Sequence, residues 1–229
     1  TDWTSYDDST SAEAVRILKK YDLWTKTPEA VQRFLTQPKK HTNALVNQDT
    51  FRIHNFMVVK TTELVDAAVR KARELELETI VLTSCLSGES REVGRFFAAI
   101  AREAHAKGRP VKPPCALIAT GETAVRIENE DYGKGGRNQE FAAGACLDLK
   151  PTDPIVICSL GTDGTDGPTP VAGALTDGST IARAASQGMD IHEFLAKHDI
   201  YTLLTAVDDA IETHDTETNV CDIAVAVVL

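Results

Sequence analysis

The chain of 229 residues carries 24 Lys and Arg against 34 Asp and Glu, a formal net charge of −10, with 42% hydrophobic and 25% charged residues. These proportions lie near the soluble average, which argues against a mainly disordered, collagen-like or coiled-coil chain, and the length suits one large or two small domains. The acid excess argues against a nucleic-acid backbone or an anionic membrane as the main partner, because both select a basic face.

Thr10-x-x-Glu13 has the form of a capping box, and Val15, Leu18 and Tyr21 follow at helical spacing, so a helix is expected over about 11–22. Pro28 fits the first position of a second helix with Val31, Phe34 and Leu35 on one face, stopped by Pro38. Lys39–Asp49 is polar and reads as a loop, and the apolar run Phe51–Val59 reads as a strand. Leu64, Ala68 and Ala72 mark an amphipathic helix to about Leu77, and Thr79–Thr83 a short buried strand. Val93, Phe96, Phe97, Ile100, Ala101 and Ala104 are again helical, closed by Gly108 and Pro110.

Beyond the Pro-rich link Gly108–Pro114, which is the best candidate boundary, Cys115–Ala119, Ala124–Ile127 and Ile155–Leu160 are compact apolar runs expected as strands. Asn138–Leu149 and Thr180–Gln187 are expected as helices, and Asp222–Val228 as a last strand. The alternation predicts an α/β fold with mixed or mostly parallel sheets flanked by helices.

The cysteines Cys85, Cys115, Cys146, Cys158 and Cys221 are odd in number and form no CxxC pair, which favours buried thiols in a reducing, cytoplasmic setting over a disulfide or zinc framework. The six histidines show neither H-x-H nor H-E-x-x-H spacing, so zinc catalysis has no support and most are expected at the surface. The apolar stretches are far shorter than a membrane span needs, and no signal-peptide pattern opens the chain. Its start, Thr1-Asp2-Trp3, reads as the middle of something longer.

Three segments combine glycines, which let backbone approach a ligand, with charged or amide side chains. Gly133-Lys134-Gly135-Gly136-Arg137-Asn138-Gln139-Glu140 lies between a strand and a helix, where backbone N–H groups and a guanidinium can hold an anion; the spacing is neither a P-loop nor a dinucleotide fingerprint. A solvated glycine-rich hairpin is the alternative. Gly161-Thr162-Asp163-Gly164-Thr165-Asp166-Gly167-Pro168-Thr169 follows a buried strand, so its two carboxylates can hold a hard cation or accept a hydroxyl proton, or simply bond their own turn. Thr216–Asp222 and Gly121-Glu122-Thr123 are shorter polar turns, for which a capping role is the simpler reading.

Taken in order, Gly121-Glu122-Thr123, Gly135–Glu140, Gly161–Thr169 and Thr218-Asn219-Val220-x-Asp222 resemble the MOFRL-type (class II) glycerate kinases, proteins also labelled hydroxypyruvate reductases. The resemblance implies that 1–114 is the C-terminal part of a Rossmann-like glycerate-kinase domain and 115–229 a MOFRL-like domain. The family's N-terminal part, with a lysine-containing Gly-rich segment, has no counterpart here. The family's usual Gly-Pro-x-Gly is replaced by His214–Glu217, and the first glycine of its Gly-Gly-Glu-Thr by Thr120.

The implied activity is transfer of a phosphoryl group from ATP, with Mg²⁺, to D-glycerate, giving 2-phosphoglycerate and ADP. Arg137 and Asp163 are then the expected catalytic residues. Glu122, Lys134, Gly135, Gly136, Asn138, Asp166 and Asn219 are expected to bind substrate, and Asp163 with Asp166 the metal. Glycerate and nucleotide are the expected partners, with a homodimer left open. The alternatives are an NAD(P)H-dependent hydroxypyruvate reductase, for which no nicotinamide fingerprint is visible, and a non-catalytic ligand-binding domain.

Overall fold

The structure is a computed structural model that describes residues 9–37, 55–128 and 130–229. The chain divides into two compact units, one up to Val58 and one from Val59. In the first, α1 (Ser11–Lys20) starts with the expected capping box: Thr10 Oγ1 accepts from the Glu13 N–H at 3.2 Å, and the Thr10 N–H donates to Glu13 Oε2 at 2.9 Å. A 3₁₀ turn at Trp24–Lys26 leads to α2 (Glu29–Thr36), where Pro28 is the N-cap rather than the first helical residue. Gln32 Nε2 ties the two, donating to the carbonyls of Trp24 and Thr27 at 3.0 and 2.8 Å. The loop expected over 39–49 lies outside the described residues, as do the first four residues of the strand expected over 51–59. The rest of that stretch is not a strand: Phe56, Met57 and Val58 stand exposed without a ladder partner among the described residues. An apolar run makes a strand only where another strand accepts its backbone bonds.

The second unit contains α3 (Thr61–Glu74), β1 (Glu78–Leu86), α4 (Ser90–Lys107), β2 (Cys115–Gly121), α5 (Arg137–Cys146), β3 (Ile155–Gly161) and β4 (Gly173–Asp177). There follow α6 (Thr180–Ser186), α7 (Ile191–Ala196), α8 (Ile200–Ala206), β5 (Ala210–Ile211) and β6 (Asp222–Val228). The strands form one mixed six-stranded sheet in the order β1-β2-β6-β3-β4-β5, in which only β1 and β2 run parallel to their neighbour. The sheet is continuous across the link Gly108–Pro114, since β1 before it pairs with β2 after it. Ala124–Ile127 is not a strand; it forms a single bridge from Ala124 to Glu89.

Every second residue of β3 and β6 is buried, the period-2 signature of a sheet with one face in the core. That face, with Leu117, Ile155, Ile157 and Ala226, meets α4 and α5 through Phe97, Ala101 and Phe141. Helix α5 is sunk so deep that every residue from Asn138 to Cys146 is buried. It can lie there because α4 and α5 touch backbone to backbone. A β-carbon on Gly94 would come 2.0 Å from the Phe141 carbonyl oxygen, and one on Gly144 2.3 Å from that of Arg91. A second core cluster joins the other side of α5 to α7 and α8 through Ala142, Cys146, Ile191, Leu195, Ile200 and Leu204.

All five cysteines are free; Cys115 and Cys146 are buried as expected, whereas Cys85 is exposed. Burial pushes the Cys146 thiol up to about 12 and the Cys158 thiol to about 11. Among the described residues no helix is long and apolar enough to cross a membrane.

Candidate functional site

Three central strands end on one line. Asp222, the first residue of β6, pairs with Gly121 at the end of β2 on one side and with Gly161 at the end of β3 on the other. Each of the motif segments therefore leaves the sheet from the same edge, and α5 begins beside it with Arg137. Bidentate bonds fix the guanidinium: Nε donates to Asp222 Oδ2 at 2.5 Å and Nη2 to Asp222 Oδ1 at 2.9 Å. Glu122 Oε1 lies 3.3 Å from Nη2. The bond to Asp222 holds Arg137 protonated well above its ordinary range, against a smaller opposing effect of burial. Among the described residues these bonds engage Nε and Nη2, and none engages Nη1.

The glycine loop and the acidic turn pack on each other. A β-carbon on Gly136 would sit 2.2 Å from Asp166 Cγ, and one on Gly167 would sit 2.5 Å from the Gly135 carbonyl oxygen. Gly167 also has a φ of 59°. Asp166 is 1% exposed, and both carboxylate oxygens are taken. Oδ1 accepts from the Asn138 N–H and Nδ2 at 3.1 and 3.2 Å, and Oδ2 from the Gln139 N–H and Nε2, both at 2.9 Å. Burial pushes the Asp166 carboxyl up while these donors pull it down. It is a helix cap supplied from another turn, because the α5 N-cap is Gly136, which has no side chain to offer.

The cation site expected between Asp163 and Asp166 does not match this geometry, since Asp166 has no free oxygen lone pair directed outward. Among the described residues no cluster of three or more His, Cys, Asp or Glu could hold a metal ion. Asn138, expected to meet substrate, is likewise turned inward: it is 1% exposed, and its Oδ1 accepts from Ser159 Oγ at 2.7 Å. Lys134 is exposed and its backbone is spent on α8, the N–H donating to Asp199 Oδ1 at 3.0 Å and the carbonyl accepting from the Tyr201 N–H at 3.0 Å.

Asp163 lies near Asp222 at the end of β3. A β-carbon on Gly161 would lie 3.1 Å from Asp163 Oδ1 and 3.5 Å from Asp222 Oδ1, so the two carboxylates converge over that glycine. Asp163 Oδ1 accepts from the Thr165 N–H at 3.0 Å and Oδ2 from Asn219 Nδ2 at 3.3 Å. The C-terminal segment is laced to this turn: Thr162 Oγ1 donates to the Cys221 carbonyl at 2.7 Å, and the Val220 N–H donates to Thr162 Oγ1 at 2.8 Å. Gly164, with a φ of 90°, is crossed so closely by the His214 carbonyl that a β-carbon would lie 1.9 Å from its oxygen.

Arg137 also lines a cleft of about 350 Å³, together with Gly133, Gly135, Gly136, Thr123–Val125, Ile127, Tyr132, Gly167, Pro168, Glu140 and His198. Glu140 is 2% exposed and bonds His198 Nδ1 at 2.6 Å. Burial pushes its carboxyl up, and His198 draws it partly back. Sequence reading passed over both Asp222 and the His198–Glu140 pair. Asp222 closes a polar turn and opens the expected last strand, with no signal in the sequence that it holds Arg137. His198 stands 58 positions from its partner and carries no spacing signal at all.

The likeness to known proteins follows the same residues. The whole chain is 35% identical to a glycerate 2-kinase of Pyrococcus horikoshii, over 98% of this chain and 51% of that protein. It is also 35% identical to a protein of Agrobacterium vitis that carries the name of a hydroxypyruvate reductase, over 96% of this chain and 56% of that one. A crystal structure of glycerate kinase from Thermotoga maritima superposes with a TM-score of 0.76 at 36% identity, covering 97% of this chain and 51% of that chain. This chain therefore spans about half the length of the relatives it matches. Residues 115–222, from the start of β2 to the Asp222 that holds Arg137, match the MOFRL family.

Proposed function

We propose that the chain is the C-terminal portion of an ATP-dependent glycerate 2-kinase, carrying the part of the site that binds D-glycerate. The observation that carries this reading is Arg137, locked at the strand-end line by Asp222 and lining the cleft. A planar guanidinium held so firmly loses little freedom on gripping a carboxylate or a transferring phosphoryl group. Its relatives named as glycerate kinases support the substrate, and the match to the MOFRL family from Cys115 supports a division into 1–114 and 115–229. Five free cysteines without a disulfide support a reducing, cytoplasmic setting.

Of the two carboxylates expected to hold Mg²⁺, Asp163 alone fits, because Asp166 is consumed as a cap. One carboxylate is enough for an ion that keeps waters and takes phosphate oxygens for most of its shell. Bound there, Mg²⁺ would neutralise charge on the nucleotide. Asp163 otherwise orients the attacking hydroxyl, with Asn219 holding its Oδ2. Glu122 sets the reach of Arg137, and Gly135 and Gly136 line the same cleft as Tyr132.

Calorimetric titration with D-glycerate tests this. We expect binding by the native chain and its loss, by at least tenfold in affinity, in Arg137→Ala with the thermal midpoint recorded beside it. Equal affinity in the two proteins overturns the reading. The reductase reading rests on the name of the Agrobacterium vitis relative, and steady loss of NADH absorbance with hydroxypyruvate and this chain would favour it.

A further inference from the structure

His198 lines the same cleft as Arg137. It is held in an unusual way. Its Nδ1 meets Glu140 Oε1 at 2.6 Å, and that glutamate is buried within α5. The His198 side chain is 22% exposed, and the cleft it lines is where that exposure lies. Its backbone φ is 51°, left-handed, at the residue that follows the end of α7, a position where glycine is the low-strain choice. The same left-handed φ follows α1, α3 and α8 at Asp22, Glu76 and Asp208, so what sets His198 apart is that a buried carboxylate anchors its inner nitrogen.

That anchor fixes the chemistry of the outer nitrogen. When ionised, the Glu140 carboxylate can only accept, so Nδ1 carries a proton, and in the neutral ring Nε2 is then an acceptor. An unrestrained imidazole in water prefers the opposite tautomer. An acceptor in this place recognises a donor, and on a small hydroxy acid the donors are its hydroxyl groups. We propose that His198, with its tautomer set by Glu140 as positioning residue, is the group that reads a hydroxyl of the acid whose carboxylate Arg137 holds. The inference rests on the reading of the cleft as a D-glycerate site and adds to it a specificity-determining residue. A site built around such a bond discriminates strongly against analogues that lack the hydroxyl, because the buried acceptor is then left without a partner.

Two measurements test it on the full 229-residue chain. Long-range ¹H–¹⁵N spectra at pH 8, with the His198 signals identified by their loss in His198→Gly, should show a protonated Nδ1 and a bare Nε2. Glu140→Gln, whose amide oxygen still accepts, should keep that pattern, and Glu140→Leu should revert to the Nε2–H form. An Nε2–H tautomer in the native chain overturns the proposal. Titration with D-glycerate should then move the His198 Nε2 resonance. Affinity should fall at least tenfold in His198→Gly; the substitution suits the left-handed backbone but strips the buried Glu140 of its partner, so the thermal midpoint is recorded beside it and affinity is compared only where the variant is folded. Propionate, which has no hydroxyl, should bind weakly and equally to both proteins. If D-glycerate binds and depends on Arg137 but is indifferent to His198→Gly, the inference fails and the glycerate reading stands; if the native chain binds no D-glycerate, both fall.

Discussion

A carboxylate that caps a helix and one that holds a cation have the same local sequence, an Asp in a glycine-rich turn. Asp166 shows how the ambiguity resolves. Its two oxygens meet N–H groups of Asn138 and Gln139, 28 and 27 positions earlier in the chain, and no spacing rule joins residues so far apart. One signal was available: a helix beginning at Arg137 after a glycine lacks a capping side chain of its own, and its orphan N–H groups must be satisfied by something else. By contrast the place of Arg137 at the start of a helix after a glycine loop is readable from the sequence, whereas its partner Asp222, 85 positions on, is not. Gly136→Ala tests the cap directly. The added carbon would lie 2.2 Å from Asp166 Cγ, so the carboxylate must leave the end of α5 and abandon buried donors. Overpacking and unmet donors together are expected to remove about 2–3 kcal/mol of stability, read as a lowered urea midpoint at unchanged slope. An unchanged midpoint would mean that Asp166 is not the cap.

At the level of elements, the long periodic segments were readable and the short ones were not. Helix α4 shows its apolar stripe over four turns, and β6 runs over the expected residues Asp222–Val228. α7 and α8 have six and seven residues, too few for a period to declare itself, and β4 is a five-residue strand that starts on a glycine. Ala124–Ile127 is apolar for a different reason, since it walls the cleft instead of joining the sheet. The contact of α4 with α5 decides where Arg137 stands, and Gly144 makes that contact possible. In an exposed helix Gly→Ala gains about 1 kcal/mol from propensity. Here the new methyl would lie 2.3 Å from the Arg91 carbonyl oxygen, a backbone atom that cannot rotate aside, and forced overpacking costs about 1–3 kcal/mol or more. The packing cost wins, so Gly144→Ala should lower the thermal midpoint by several degrees. A raised midpoint would show that the helices are not in backbone contact.

Across the whole molecule, the mixed sheet gathers the end of β2, the start of β6 and the end of β3 on one line, so turns far apart in sequence share one rim. The charge on that rim limits what this chain can do alone. Arg137 faces Glu122 and Asp222, with Asp163 near the latter, so the carboxylates outnumber the guanidinium. A small acid with one negative charge can still be held by Arg137. A triphosphate cannot be drawn to such a surface without further cations, and phosphoryl transfer depends chiefly on neutralising and positioning that charge. Lys134, the nearest lysine in the glycine loop, has its backbone tied to α8 and its side chain outside the cleft. The isolated 229 residues are therefore expected to bind D-glycerate without producing ADP above background when ATP and Mg²⁺ are supplied, as a coupled ADP assay and a parallel calorimetric titration would show. Robust glycerate-dependent ADP formation by this chain would mean that the strand-end rim neutralises a nucleotide unaided, and the charge argument would fall with it.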